Sequence, residues 1–589
     1  MFSSLHDDGL GMKNKEISEM FAEIGEMIGL EETPTSRFEA RAFQNASLML
    51  DTMQEDIEEI YRKRGRKALM ELPSIGKGLA DEIIEFIETG RIGKYEKLKG
   101  KYPIDFKELS KVEGLGAKKI VVLYRNLGIK DVDGLKRAVS EQKIRGVPGF
   151  GERSEAMIGR GIELLESGRG RILLGEALPV AESIVAKLLE SGLVERAMIA
   201  GSARRMRETV GDIDILAISG KGRAVMDLFA GMEGVKSVIS KGEARTTVWL
   251  EIGTSCDLRV IDADSRNFGA ALQYFTGSKE HSVSLRKIAI GKGYKLNEYG
   301  LFDRKDKLIR CGDEEELYGK MGMQYIPPEM REDRGEIKLA QQHRIPKLVE
   351  MKEIRGDLHS HTKETDGSNT AGEMAYAAYA EGLEYIAATN HTKSLRIARG
   401  MDERGFGKFF REIDRLNEME GKKAIVLKGA EVDILKDGRL DLPTKLLGSM
   451  DCVVAAVHSS FNMDGKSMTE RVVKALDSGV VDILAHPTGR LINGRGAYEI
   501  DLDRVAEAAE RNHVALEVNS YPNRLDLNDS AIMRLSSYKI LFSIDSDSHS
   551  TQHFKFLRYG VGTARRGWLT KRQVLNTLPI EKLLKRLRG

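Results

Sequence analysis

Apolar residues recur at helical spacing through residues 13–90, in runs broken by Gly and Pro, and predict a set of short amphipathic helices. From about 171 to 262 the period shortens. The runs AMIAGS, DIDILAIS, TTVWLEI and CDLRVID read as strands with helical runs between them, which predicts an α/β sheet unit. Residues 263–334 read as a smaller mixed unit, and GEIKLAQQHRIPKLVE (335–350), polar with one proline, reads as a linker. Beyond it strands and helices alternate to the C-terminus: EYIAATN, AIVLKGAEVDI, CVVAAVHS, DILAHP, ALEVNS and ILFSIDSDSH. That rhythm predicts a parallel, barrel-like arrangement. The expected organisation is a disordered leader over 1–12, with Met12 a second candidate start, and helical units over 13–92 and 93–170. A sheet unit over 171–262, a mixed unit over 263–334, the linker and a barrel over 351–589 follow.

Composition narrows the classes. With 41% hydrophobic and 31% charged residues the chain is globular, and no run approaches the roughly 18 apolar residues of a membrane span. The N-terminus carries no apolar signal core, so the expected compartment is cytoplasmic. Cys256, Cys311 and Cys452 are odd in number and far apart, as free thiols in a reducing compartment would be. Net charge is only +2, so a nucleic-acid footprint has to be local. Residues 91–150 supply one: 15 Lys and Arg against 7 Asp and Glu, a difference of +8.

Three segments repeat one form: LPSIGKG (72–78), VEGLGAKK (112–119) and VPGFGER (147–153). Each sets a hydrophobic residue beside glycine and then begins a helix. Glycine lets a backbone approach closely, and a helix start offers unpaired N–H groups to a phosphate. The segments resemble helix-hairpin-helix motifs, which hold a DNA backbone without reading its sequence. Gly76, Lys77, Gly78, Gly114, Gly116 and Lys118 are the expected DNA contacts. A single such segment would equally suit an ordinary glycine-capped turn; three, one of them in the basic block, favour DNA.

The segment GSARRMRETVGDIDIL (201–216) carries candidate chemistry. Asp212 and Asp214 are two apart on a predicted strand and so share a face. Two carboxylates side by side repel, and a divalent cation relieves the repulsion. Asp257, on the later CDLRVI strand, can complete the set. Three carboxylates around two Mg²⁺ ions suit phosphoryl displacement. Gly201 and Ser202 form a turn able to hold a phosphate, and Arg205 offers it a planar donor.

The pattern GS-x-RR-x₅-GDIDIL resembles the nucleotidyltransferase motif of family-X DNA polymerases, the group containing DNA polymerase beta. The likeness continues in order through CDLRVI (256–261), YFTGS (274–278), Leu285–Arg286 and LNEYGLF (296–302), and covers about residues 13–334. It implies a polymerase beta-like palm. Asp212, Asp214 and Asp257 would bind catalytic Mg²⁺ or Mn²⁺, with Asp257 also helping to activate the primer 3′-hydroxyl. Gly201, Ser202, Arg205 and Gly211 would hold the triphosphate, Tyr274, Phe275 and Gly277 would line the nucleotide pocket, and Arg286 would touch the template strand. Two positions depart from the pattern. Glu82 stands where the Schiff-base lysine of the 5′-deoxyribose-phosphate lyases would be, and a carboxylate cannot form an imine. Ser282 replaces an asparagine at the nascent base pair.

Eight of the 11 histidines lie from position 359 onward. DLHSHT places His359 and His361 on one strand face, and SDSH is expected to do the same for Asp547 and His549. With Asp366, His391, Glu431, His458 and His486 they make nine nitrogen or oxygen ligands, more than one tetrahedral zinc needs. Two or three metals follow, and without cysteine the set suits Zn²⁺ or Mn²⁺. His513 and His553 fall outside the set and read as structural. The spacing resembles the PHP domain (polymerase and histidinol phosphatase), a distorted β/α barrel with a trinuclear site; the match covers about 351–589, with Glu431 as the bridge. It implies hydrolysis of a phosphoester.

A family-X polymerase followed by a PHP domain is the architecture of the bacterial and archaeal family-X enzymes. The fold class is therefore multidomain α/β: helical helix-hairpin-helix domains, a polymerase beta-like palm and a PHP barrel. The expected function is gap filling in base excision repair on gapped or primed DNA with dNTPs, by a monomer. The PHP domain would contribute 3′–5′ exonuclease activity and 3′-end processing, sometimes with abasic-site cleavage. The alternative is a histidinol-phosphatase-like enzyme tethered to DNA by its front half.

Overall fold

The structure is a computed structural model that describes residues 12–29, 33–53, 56–72, 74–110, 112, 115–152, 154, 155, 158, 159, 162, 171–262 and 267–587. The leader ahead of Met12 and Gly114 lie outside the described residues. The chain divides into two compact units, residues 1–169 and 170–589.

The first unit is helical. Its leading helices, Met12–Gly29, Pro34–Thr52, Ile57–Glu71 and Lys77–Thr89, are 13 to 19 residues long and so outrun the short segments expected. Ile17, Phe21, Ile24 and Ile28 form one buried stripe at three- and four-residue spacing. Thr33 starts the second helix with a reciprocal capping box to Ser36, and Pro34 occupies its first turn. The three glycine segments share a hydrogen-bonding plan. A tight turn closes from Ile75 N–H to Leu72, Leu115 N–H to Val112 and Phe150 N–H to Val147. A helix then opens with Ala80 bonding back to Gly76, Ile120 to Gly116 and Glu155 to Gly151.

The second unit contains all the strands of the described residues. Its first part holds β1 (Ile172–Leu173), β2 (Arg196–Ile199), β3 (Thr209–Val210), β4 (Asp212–Ile218), β5 (Val235–Lys241), β6 (Arg245–Leu250) and β7 (Ser255–Ile261). β1 and β3 make a small ribbon, and the other five form a sheet in the order β2-β4-β7-β6-β5. β4 and β7 are its parallel pair. β5 was not expected; it is an edge strand, exposed at six of seven positions, so it carries no alternating apolar signal. β8 (Lys295–Asn297), β9 (Gly300–Phe302) and β10 (Leu308–Ile309) form a second small sheet.

The C-terminal part is a parallel barrel. β11 (Gly356–Ser360), β12 (Tyr385–Ala388), β13 (Ile425–Asp433), β14 (Cys452–Ala456), β15 (Ile483–Leu484), β16 (Ala515–Asn519) and β17 (Phe542–Asp545) pair in chain order. Most are buried on both faces, as strands inside a ring of helices must be. The ring closes between β11 and β17 largely through side chains. Leu358 N–H donates to Asp545 Oδ1 (2.8 Å), and Asn576 Nδ2 donates to the carbonyls of Gly356 (2.8 Å) and Ile544 (2.6 Å).

The stretch 335–350 is ordered rather than a loose linker. It contains the helix Glu336–Gln341, and Ile337, Ala340 and Leu348 join a core with Leu285, Leu317 and Tyr318. Glu336 is fully buried, hydrogen-bonded to His281 Nδ1 (2.6 Å) and to the amides of Asp333 and Arg334. The sheet part and the barrel thus belong to one compact unit. The three cysteines are free and buried. Among the described residues no helix is long and apolar enough to cross a membrane.

Candidate active sites

The parallel pairing of β4 with β7 sets Asp214 directly beside Asp257, with Asp212 two residues back at the strand's start. Burial first, then the charges of Asp212 and Asp257, push the Asp214 carboxyl up to about 7. Gly201 meets Asp214 where β2 turns into the helix Gly201–Arg204, in the left-handed region at φ +61. Asp257 accepts hydrogen bonds from Arg245 (2.7 Å) and Thr247 on the neighbouring β6.

Gly201, Asp212 and Asp214 open onto a cleft of about 440 Å³ lined by basic and polar groups, while Asp257 stands beside Asp214 and outside the lining. Gly201, Ser202, Arg205, Asp212, Asp214, Tyr274, Phe275, Gly277, Ser282 and Arg286 all face it. Ser202 Oγ is buried without a hydrogen-bond partner, as a donor reserved for a ligand would be. Arg205 donates to Thr276 O and, through Nε, to Glu332 (3.1 Å). The Tyr274 and Phe275 rings meet edge to face at 5.1 Å. Ser282 accepts from Gln273 (3.4 Å) and Arg286 donates to Ser282 O (3.2 Å). Gly211 lies beside the cleft, where a Cβ would come within 3.0 Å of Arg171 Nη1. Arg171, Arg207 and Lys279 also line the cleft, and sequence reasoning missed them. The basic run SARRMR carried a signal for Arg207; Arg171, some forty residues from the aspartates, carried none.

The second site sits at the C-terminal ends of the barrel strands, where parallel β/α folds collect their functional side chains. All nine expected residues converge there. Glu431, 1% exposed, is ringed by five histidines: His391 at 2.8 Å, His486 at 3.0 Å, His458 at 3.2 Å, His359 at 3.5 Å and His361 at 3.6 Å. Asp366 pairs with His391 (3.1 Å) and His549 (3.3 Å), and Asp547 with His361 (3.2 Å). Three overlapping groups emerge with ligand atoms within 4.8 Å of one another: His361, Asp366, His391 and His549; His359, His361 and Asp547; and His391, Glu431 and His458. Among the described residues such tight groups occur in the barrel and not at the palm aspartates.

The barrel cluster meets the chemical test for metal. His359 Nε2, both ring nitrogens of His361, Asp366 Oδ1 and Glu431 Oε2 are buried without a well-formed hydrogen bond. Buried polar atoms normally have partners, and more than one cation would be needed to satisfy these five, since the two ring nitrogens of His361 face opposite ways. Against burial, the surrounding histidines hold the Glu431 carboxyl well below its usual range, while Asp366 and Glu431 hold His391 well above its own. One expectation is corrected. Asp547 and His549 are not on a strand: β17 ends at Asp545, and Asp547 follows in irregular backbone at φ +53.

The sequence also did not single out the residues that orient these ligands. Glu517, fully buried, accepts from His359 Nδ1 (2.7 Å) and from the backbone N–H of His486 (2.6 Å). Asp433 is hydrogen-bonded to His458 Nδ1 (3.0 Å). Such partners fix which imidazole nitrogen faces a metal. His553, read as structural, accepts from the His549 backbone N–H (3.2 Å) and stacks on Phe556. His513 ends the helix Leu502–Asn512 at φ +61.

In the helical unit Gly76, Lys77, Gly78, Gly116 and Lys118 are exposed. Gly76 and Gly116 have φ of −86 and −89, which any residue adopts, and a Cβ at Gly76, Gly78 or Gly116 would meet nothing within 4 Å. Neither the backbone nor internal packing calls for glycine there; a partner approaching from outside would. Glu82 lies on the same helix as Lys77, its carboxyl pushed up by burial.

Known proteins match these parts. Residues 271–332 match the DNA polymerase beta thumb family, 12–92 the helix-hairpin-helix domain family and 106–159 the SAM-like helix-hairpin-helix tandem family. The chain is 36% identical over 555 residues to the DNA polymerase/3′-5′ exonuclease PolX of Bacillus subtilis strain 168, which covers 93% of this chain and 95% of that protein. It is 27% identical over 232 residues to a probable phosphatase of Thermoanaerobacter sp. strain X514, covering 38% of this chain and 89% of that protein. A second probable phosphatase, from Caldanaerobacter subterraneus subsp. tengcongensis, is 31% identical over 169 residues, 28% of this chain and 61% of its own length.

Proposed function

The chain belongs to the PolX family of DNA polymerase/3′-5′ exonucleases, and on that premise we propose a two-site enzyme that fills gaps in DNA during base excision repair and hydrolyses DNA 3′ ends. The observation that carries the reading is the coexistence in one compact unit of Asp212 and Asp214 on a basic cleft, with Asp257 paired beside Asp214, and a histidine–carboxylate cluster of eight residues joined by His486 through Glu431. The phosphatase relatives match only part of the chain, so the two-site reading is favoured over a tethered phosphatase.

At the palm, Asp212, Asp214 and Asp257 would hold Mg²⁺ or Mn²⁺, which supplies charge neutralisation for the attacking and leaving oxygens. Ser202 Oγ and Arg205 bind the triphosphate of an incoming dNTP. Asp257 accepts the proton of the primer 3′-hydroxyl, and Tyr274 and Phe275 line the sugar pocket. Arg286 contacts the template strand, and the glycine hairpins hold the duplex backbone by their helix N-termini. In the barrel, the nine ligands would hold two or three Zn²⁺ or Mn²⁺, which supply an activated water for phosphodiester hydrolysis. Glu517 and Asp433 keep the His359 and His458 rings in the ligating orientation. No lyase step is assigned to Glu82.

Primer extension across a one-nucleotide gap with Mg²⁺ or Mn²⁺, together with hydrolysis of a labelled 3′ end, tests the reading. Failure of the wild type in either assay removes the corresponding half.

A further inference from the structure

Within the second unit one helix of the barrel reaches to the wall of the polymerase-like cleft. Leu557–Arg566 lies a few residues beyond His549 and packs on the loop that follows Arg205. Gly562 faces Met206 so closely that a Cβ there would come within 2.6 Å of Met206 Cε and 3.0 Å of its Cβ. One turn on, Arg566 crosses to the cleft's wall. Its Nη1 donates to the backbone carbonyl of Arg205 (2.8 Å) and to Glu332 Oε1 (2.9 Å). Its Nη2 donates to Asp529 Oδ2 (2.6 Å), which anchors it in the barrel. The same Glu332 oxygen accepts from Arg205 Nε (3.1 Å), and Arg207 Nη1 lies 3.4 Å from the other. Arg566 is buried at 4% exposure, so these charges interact with little screening by water.

We propose that Arg566, a residue of the phosphoesterase barrel, is a positioning residue for nucleotidyl transfer. It holds Arg205 at both ends, the backbone directly and the guanidinium through Glu332, and so presents that guanidinium to the nucleotide triphosphate. The inference rests on the assignment of Arg205 to the triphosphate. The charge arrangement explains the need. Glu332 alone would compete with the phosphates for Arg205; with Arg566 sharing the carboxylate, its pull on Arg205 is divided. The barrel is then part of the polymerase's nucleotide site as well as a second enzyme.

The test uses the full-length chain with Arg566→Met, Arg566→Lys, Glu332→Gln and the Arg566→Met/Glu332→Gln double variant. dNTP is titrated in single-nucleotide gap filling, and 3′-end hydrolysis is the second readout. Arg566→Met is expected to raise the dNTP KM about tenfold, the size of one lost charge-assisted contact, with kcat within about twofold. Arg566→Lys recovers part of the loss, and the double variant is no worse than the worse single, because both residues act on Arg205 along one path. Wild-type 3′-end hydrolysis in Arg566→Met shows the barrel folded. If it is lost, Glu332→Gln, which leaves the barrel sequence intact, decides by raising KM or not. A KM within about twofold of wild type in a folded variant, or single effects that add in the double, overturns the inference. A wild type that does not extend a primer at all sinks the polymerase reading and the inference with it.

Discussion

A Cβ built on Gly201 would lie 2.2 Å from Asp214 Oδ2, so the carboxylate rests against bare backbone. The two residues come from different elements, the turn after β2 and the strand β4, and each constrains the other. Gly201 also holds φ +61, which disfavours any side chain. The turn proposed to hold the triphosphate therefore also seats one of the carboxylates proposed to hold metal.

Gly201→Ala should displace both. Nucleotide addition is expected to fall about 100-fold, the usual cost of a misplacement near 1 Å, while 3′-end hydrolysis stays at the wild-type rate. Steady-state rates of both reactions on one preparation check it.

Glu517→Gln should loosen the barrel's metals. Gln keeps the volume but loses the carboxylate that accepts from His359 Nδ1 and the His486 N–H. Metal affinity is expected to fall about 10- to 100-fold, read by titrating Mn²⁺ or Zn²⁺ back into chelator-treated protein and following hydrolysis. Gap filling with Mg²⁺ should be unaffected.

The hairpin glycines separate folding from binding. Gly76→Thr and Gly116→Thr place side chains in open space on permitted backbone at helix N-caps, where Thr serves about as well as Gly, so stability should change by no more than about 0.5 kcal/mol. The double variant is expected to bind duplex DNA about tenfold more weakly, by filling the space where phosphates approach. Equal losses of thermal stability and affinity would point to an internal role for these glycines.

A pH effect follows from Glu26 in the first helix. Burial, with Glu23 beside it, raises its carboxyl to about 7. In the unfolded chain it titrates near about 4.3, so the two states differ in charge between those values. The unfolded state ionises first, and the helical unit loses stability as pH rises through that window, then levels off above 7. Glu26→Gln should therefore stabilise this unit on the order of 2 kcal/mol at pH 8 and hardly at pH 4. Hydrogen exchange over residues 12–29, compared between variant and wild type at the same pH, reads the difference.

Much of this was legible in the sequence because the relevant signals are local. The DxD spacing, the GS turn and each histidine at a strand end show themselves within a few residues. What was missed depends on distant partners. Arg566 meets Glu332 across more than 200 positions and Glu517 meets His359 across 158, and neither pairing leaves a periodic trace. Asp547 and His549 alternate like a strand, yet Asp547 holds φ +53, outside the extended range. The segment 335–350 has linker composition, but Glu336 is polar and buried because His281 and two amides satisfy it. The edge strand β5 lacked apolar alternation because both of its faces are exposed.

The central claim is two chemically separable active sites in one chain. Gap filling and 3′-end hydrolysis are to be measured side by side for wild type, Asp212→Ala/Asp214→Ala and His359→Ala. The aspartate double variant should lose gap filling and keep hydrolysis, and His359→Ala should do the reverse. An aspartate double variant that still extends a primer at the wild-type rate would contradict the account.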